Sequence, residues 1–183
     1  MSTGTKSVLF GVHQFLWHPL TVTFAWIHLY GVPKPWELFC IWVHDLGYLK
    51  TQEMDGKDGI LHPELGANLA GFFFGEKARL ECLGHSRAYA AKHNLPLSKL
   101  CWADKWSPTF DPTLFYWMRA SLSGELSQYR KSFPRTSQTS LGWVREFKAF
   151  VKQNKAQIEM AATTRKSEQF PHFLAPQTAL SSS

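Results

Sequence analysis

The stretch Trp36-Glu-Leu-Phe-Cys-Ile-Trp-Val-His-Asp-Leu-Gly-Tyr-Leu49 decides the fold. It is apolar from Leu38 to Val43, has no internal proline, and follows the turn Gly31-Val-Pro-Lys-Pro35. A run of this length and composition predicts a helix buried on several sides. At its end the apolar character stops at an adjacent ionisable pair, His44-Asp45. Such a pair after such a run is costly unless something compensates it. A hydrogen-bonded core pair would do so, and so would a divalent metal, since imidazole nitrogen with carboxylate oxygen suits Mn, Fe, Co, Ni or Zn.

Outward from this stretch the chain continues in helical spacing. Val8 to Tyr30 is apolar and periodic, with a break or restart expected at His18-Pro19, because proline suits a first turn. Lys50 to Leu61 carries Asp55-Gly56 and Asp58-Gly59 and reads as an exposed loop. Further helices are expected from His62-Pro63 to Phe74, from Glu76 to His93, from Ser98 to Trp106, and from Asp111-Pro112 to about Arg130. Ser132 to Ser140 reads as a polar linker. Leu141 to about Arg165 reads as one long basic helix with Val144, Phe147, Val151 and Ile158 on one face. No strand pattern or internal repeat is visible, so the expected fold class is all-α. The expected organisation is a helical domain over 1–130, a linker and basic helix over 131–167, and a flexible tail over 168–183.

Composition bounds the function. The 183 residues are 44% apolar, enough to bury a core and to exclude wholesale disorder. Charged residues make up 19%, which argues against a coiled coil. Cys40, Cys82 and Cys101 form no CxxC pair, so neither a disulfide scaffold nor a thiolate zinc site is expected, and a reducing cytoplasm is the simplest setting. Neither a signal peptide nor a membrane span is expected. Eleven Lys and Arg balance eleven Asp and Glu over residues 1–129, so the net charge of +6 comes from nine cations against three acids over 130–183. That surface is either a solvated helix face or one that meets phosphates.

Around His44-Asp45, other metal-type residues recur in order. His18 lies on the preceding helix, His62 opens His62-Pro-Glu-Leu-Gly-Ala67, His85 stands in Gly84-His-Ser-Arg87, and Asp104 lies in Ala103-Asp-Lys105. The order H…HD…H…H…D, over roughly residues 8–130, resembles the HD-domain metal-dependent phosphohydrolase superfamily. Within it the chain looks most like the small stand-alone members of bacteria and their phages. The resemblance implies a helical bundle in which His18, His44, Asp45 and Asp104 hold one divalent metal. It further implies that Asp45 bridges to a second, completed by His62 and His85; Mg is a further candidate beside the transition metals. It also implies a bacterial or phage-infected cytoplasm. Many members have Lys where Tyr48 stands here, which leaves Lys50, Lys105 or Tyr48 as candidates for the phosphate contact.

The chemistry that follows is hydrolysis of a small nucleotide-like phosphoester, cyclic nucleotides included, by a metal-activated water. Arg87 and Lys105, beside proposed ligands, are candidates to stabilise charge on the phosphoryl oxygens. The alternative is a nucleic-acid-binding protein or nuclease that uses the basic C-terminal helix. His13, His28 and His93 fall outside the motif and read as ordinary helix residues, and His172 lies in the tail. Glu64 is either an acceptor for a ligand histidine or a favourable first-turn acid. Tyr48, Trp102 and Trp106 could stack on a base, although aromatic residues at this spacing are more often core. The stretch from Arg119 to Tyr129, with Ser123-Gly-Glu125, could line the pocket.

Overall fold

A computed structural model describes residues 1–54, 57–132 and 136–164, excepting the side chains of Lys50, Ser132 and 161–164. The Asp55-Gly56 turn, Arg165 and the 168–183 tail, His172 included, lie outside these residues. Within them the chain is all-α, with no strand.

The elements are α1 (Thr3–Phe10), α2 (Trp17–Tyr30), α3 (Pro35–Val43), a 3-10 turn (Leu46–Lys50), α4 (Lys57–Ile60), α5 (Pro63–Phe74) and α6 (Glu76–Leu83). They continue with α7 (Arg87–Lys92), α8 (Lys99–Trp106), a 3-10 turn (Ser107–Thr109), α9 (Thr113–Ser123), α10 (Glu125–Ser132), α11 (Ser140–Gln153) and α12 (Lys155–Thr164). Local chemistry explains several starts. Glu37 accepts from the Lys34 N–H at 2.8 Å and Pro35 opens α3. Ser98 and Thr139 accept from backbone N–H groups in the first turns of α8 and α11.

Several helices are shorter than their periodicity suggests, and the breaks matter. The helix expected over Trp36–Leu49 stops at Val43, which puts His44-Asp45 at a helix end. The helix expected over Glu76–His93 is two, divided at Gly84-His85-Ser86, so His85 occupies a turn rather than mid-helix. The helix expected to end near Arg130 divides at Gly124, whose φ of +86° is one that a side chain rarely tolerates. The basic helix divides at Asn154. The loop of 50–61 contains the short α4.

One apolar cluster unites Val22 and Trp26 of α2, Cys40 and Ile41 of α3, Ala67 and Ala70 of α5, Cys82 of α6 and Leu100 of α8 with Val151 and Ile158 of the C-terminal helices. A second joins Val12, Tyr116, Ala120, Leu126, Trp143 and Val144. The apolar face expected on the basic helix is therefore buried against both, and Lys148 points inward to donate to the Asp111 carbonyl. Trp102 and Trp106 are core residues, 6% and 5% exposed. Among the described residues no helix is long and apolar enough to cross a membrane.

Candidate metal centre

The end of α3 and the start of α5 meet because two glycines let backbones touch. A side chain at Gly47 would run into the His62 carbonyl, and one at Gly66 into the Val43 carbonyl. The close contact brings the His44-Asp45 corner against the His62 start of α5. Three histidines are then oriented by one repeated device. His44 Nδ1 donates to the Ile41 carbonyl at 2.8 Å, His62 Nδ1 to Gly59 at 2.5 Å and His85 Nδ1 to Cys82 at 2.5 Å. A carbonyl only accepts, so Nδ1 carries the proton, and a neutral ring presents a bare Nε2.

All three Nε2 atoms converge on Asp45. Its Oδ2 lies 3.2 Å from His44 Nε2 and 3.1 Å from His18 Nε2, and its Oδ1 lies 3.3 Å from His85 Nε2 and 3.6 Å from His62 Nε2. Asp104 Oδ1, from α8, stands 3.3 Å from His18 Nε2 on the far side. The six residues singled out by order in the sequence therefore form one constellation, buried except for the half-buried Asp104. Asp45 sits at its middle, one oxygen toward each half.

The electrostatics differ between the two halves. Burial opposes a charged His18, but Asp104 and Asp45 outweigh it and lift its pKa to about 9. Burial also opposes both carboxylates, yet they are held well below the usual range. His44, His13 and His18 act on Asp45, and Lys105 and His18 act on Asp104. In the other half, burial and the neighbouring His85 push His62 down to about 3, and burial chiefly lowers His85. Both rings are therefore neutral, and both have their protons on Nδ1. Two bare Nε2 atoms thus face each other across 2.9 Å, a repulsive approach that a shared electrophile would relieve.

Three buried atoms of the other half, His18 Nε2, His44 Nε2 and Asp45 Oδ2, lack any hydrogen bond of acceptable geometry. Buried polar atoms are rarely left so. Within the constellation His18, His44 and Asp104, and also His44, Asp45 and His85, offer donor atoms all within 4.8 Å of one another. His62 belongs to neither triple but adjoins the second through Asp45 and His85. Imidazole nitrogens with carboxylate oxygens fit Mn, Fe, Co, Ni or Zn.

The remaining candidates are placed as follows. Lys105 Nζ donates to Asp104 Oδ2 at 2.5 Å, turning the other oxygen to His18. Arg87, at the start of α7, is largely buried and within electrostatic reach of Asp104 and Lys105. Tyr48 lies flat on His62, with centroids 4.0 Å apart and planes 10° apart, and so packs against a proposed ligand. The Lys50 side chain is outside the described residues. Glu64 accepts from Tyr89 OH at 3.2 Å, and the Nδ1 atoms of His44, His62 and His85 all go to backbone carbonyls. His28 pairs with Glu159 at 3.3 Å and His93 stacks on Tyr89, both away from the constellation.

His13 corrects the sequence reading. It is not an ordinary helix residue but occupies the bend between α1 and α2, with Nε2 3.9 Å from Asp45 Oδ2 and its ring 4.8 Å from that of Tyr48. Its Nδ1 meets Glu125 Oε1 at 2.9 Å. Glu125 is the acid of the Ser123-Gly-Glu125 stretch, and the only signal for this pairing was that an acid follows directly on a glycine stop. With His18, His44 and Asp45, His13 lines a cleft walled by Val8, Phe15, Pro19, Trp42 and Leu46. No family model, curated protein or solved structure matches the chain.

Proposed function

We propose that this chain is a metal-dependent phosphohydrolase that cleaves a phosphoester of a nucleotide, cyclic nucleotide or related signalling nucleotide. The observation that carries the reading is the Asp45 carboxylate, one oxygen facing His18 and His44 and the other facing His62 and His85. A core ion pair needs one partner, whereas this carboxylate is met by four imidazoles. The motif order that resembles HD-domain phosphohydrolases supports the same reading, because all six residues in that order converge.

His18, His44, Asp45 and Asp104 would hold one divalent metal, and Asp45, His62 and His85 a second. Bound there, such metals supply Lewis acidity and a water acidified to near neutral pH. The protein's own residues do the rest. The backbone carbonyls of Ile41, Gly59 and Cys82 fix three ligand rings. Tyr48 clamps His62, and Lys105 orients Asp104 while adding positive charge beside the site.

The test is elemental analysis of purified protein, followed by nucleotides, cyclic nucleotides and short oligonucleotides offered with Mn, Co, Ni and Mg. Hydrolysis of a mononucleotide or cyclic phosphoester by the metal-loaded chain is the expected result. Selective cleavage of oligonucleotides would make it a nuclease instead. A chain that binds no metal, or binds it and cleaves no phosphoester, overturns the reading.

A further inference from the structure

Glu125 is fully buried, and five donors reach its carboxylate. The hydroxyls of Ser7, Ser123 and Tyr129 donate to it at 2.7, 2.5 and 2.9 Å, the Val12 N–H at 2.8 Å, and His13 Nδ1 at 2.9 Å. A buried carboxylate without a charged partner is costly. Arg119 is committed to Asp111 and to the Gly11 and Val12 carbonyls. Five hydrogen bonds therefore answer for the carboxylate, and His13 Nδ1 gives one of them. Arg119 and Glu125 together hold the Gly11-Val12-His13 bend by its backbone and by the His13 ring, so this ring is built in rather than draped over the site.

The bend points the far side of the ring at the candidate centre. His13 Nε2 is 3.9 Å from Asp45 Oδ2, whereas the six motif residues approach one another at 2.9 to 3.6 Å. At that separation a direct contact is weak, which leaves Nε2 to the cleft. Glu125 accepts the Nδ1 proton, and in that tautomer Nε2 is the acceptor on the cleft side.

Resting on the phosphohydrolase reading, we infer that His13 is a catalytic residue whose Nε2 accepts the hydrogen bond of the attacking water and so aims its oxygen at phosphorus, with Glu125 as the residue that positions it. The pair leaves metal binding to the other six residues. Its contribution is to orientation, so losing it slows turnover more than it weakens substrate binding.

The test uses the full chain loaded with manganese and bis(p-nitrophenyl) phosphate as the probe. His13→Ala is expected to lower kcat about a hundredfold with KM little changed, with the wild-type manganese content, and with part of the rate restored by added imidazole. Because His13→Ala leaves Glu125 buried without its partner, the double variant His13→Ala/Glu125→Gln is read by the same criteria should the single one fail to fold. In the zinc-loaded wild type, nitrogen-15 spectra of the His13 ring should show the proton on Nδ1 and Nε2 bare. A fall in manganese content would make His13 a ligand and overturn the inference. An unchanged kcat in a folded variant, or a proton found on Nε2, would overturn it too. A wild type that holds manganese but cleaves no phosphoester refutes the hydrolase reading first, and this one with it.

Discussion

His62 Nε2 and His85 Nε2 face each other 2.9 Å apart, while each ring's Nδ1 donates to a carbonyl three residues earlier in its own chain segment. The two rings cannot satisfy one another, because neither has a proton to offer across the gap. Under the proposal of a metal centre, a bound cation would make the arrangement favourable. The second half of the centre is therefore the more diagnostic one, since His18 and its two carboxylates could share a proton.

Replacing His62 or His85 by alanine is expected to lower bound transition metal from about two per chain toward one and to cost several orders of magnitude in turnover. Elemental analysis beside an activity assay checks both. Two metals retained in both variants would make these histidines substrate contacts or core residues.

Asp45→Ala should abolish both metal binding and hydrolysis while the circular dichroism spectrum stays helical. The side chain lies at the middle of the constellation and takes no part in the apolar clusters, so the core survives its loss. Turnover near the wild-type level with saturating metal would place the chemistry elsewhere.

Gly47→Ala should destabilise the fold by about 1–3 kcal/mol, as overpacking against immovable backbone does. The new methyl group would displace the His62 carbonyl, and with it the start of α5. Denaturant midpoints measure the cost, and metal titration should show the His62 side of the centre weakened. A variant as stable as the wild type, with full metal content, would contradict the close contact.

Acid should unfold the protein partly through Glu125. Burial raises this carboxyl's pKa, but His13, Ser123 and Ser7 outweigh burial and hold it at about 2 against an ordinary 4.5, with Tyr116 and Tyr129 also facing it. The folded value lies below the unfolded one, so this stability is complete above about pH 4.5 and is lost as the pH falls toward 2. It amounts to roughly 3 kcal/mol. The stability gap between wild type and Glu125→Gln should therefore narrow across that window in denaturant melts. A constant gap would contradict the assignment.

Much of this protein is legible in its residues alone. The apolar run before His44, the helical spacing of Val144, Phe147, Val151 and Ile158, and the absence of alternation establish an all-α chain, because burial periodicity is a local property of the sequence. The order of His18, His44-Asp45, His62, His85 and Asp104, read through the motif it resembles, named six residues that do converge. What lay beyond the sequence depended on where helices stop and what then meets. The corner at His44, the turn at His85 and the bend at His13 are held by close backbone packing: Gly47 against His62, Gly66 against Val43, Gly84 against Pro96, and Arg119 on the Gly11 and Val12 carbonyls. Likewise, His13 and Glu125 stand 112 positions apart in the chain, and nothing in either one's neighbourhood announces the other. Their pairing exists only because α9, α10 and the bend after α1 close on a common core, where a buried carboxylate must find its donors or not be tolerated.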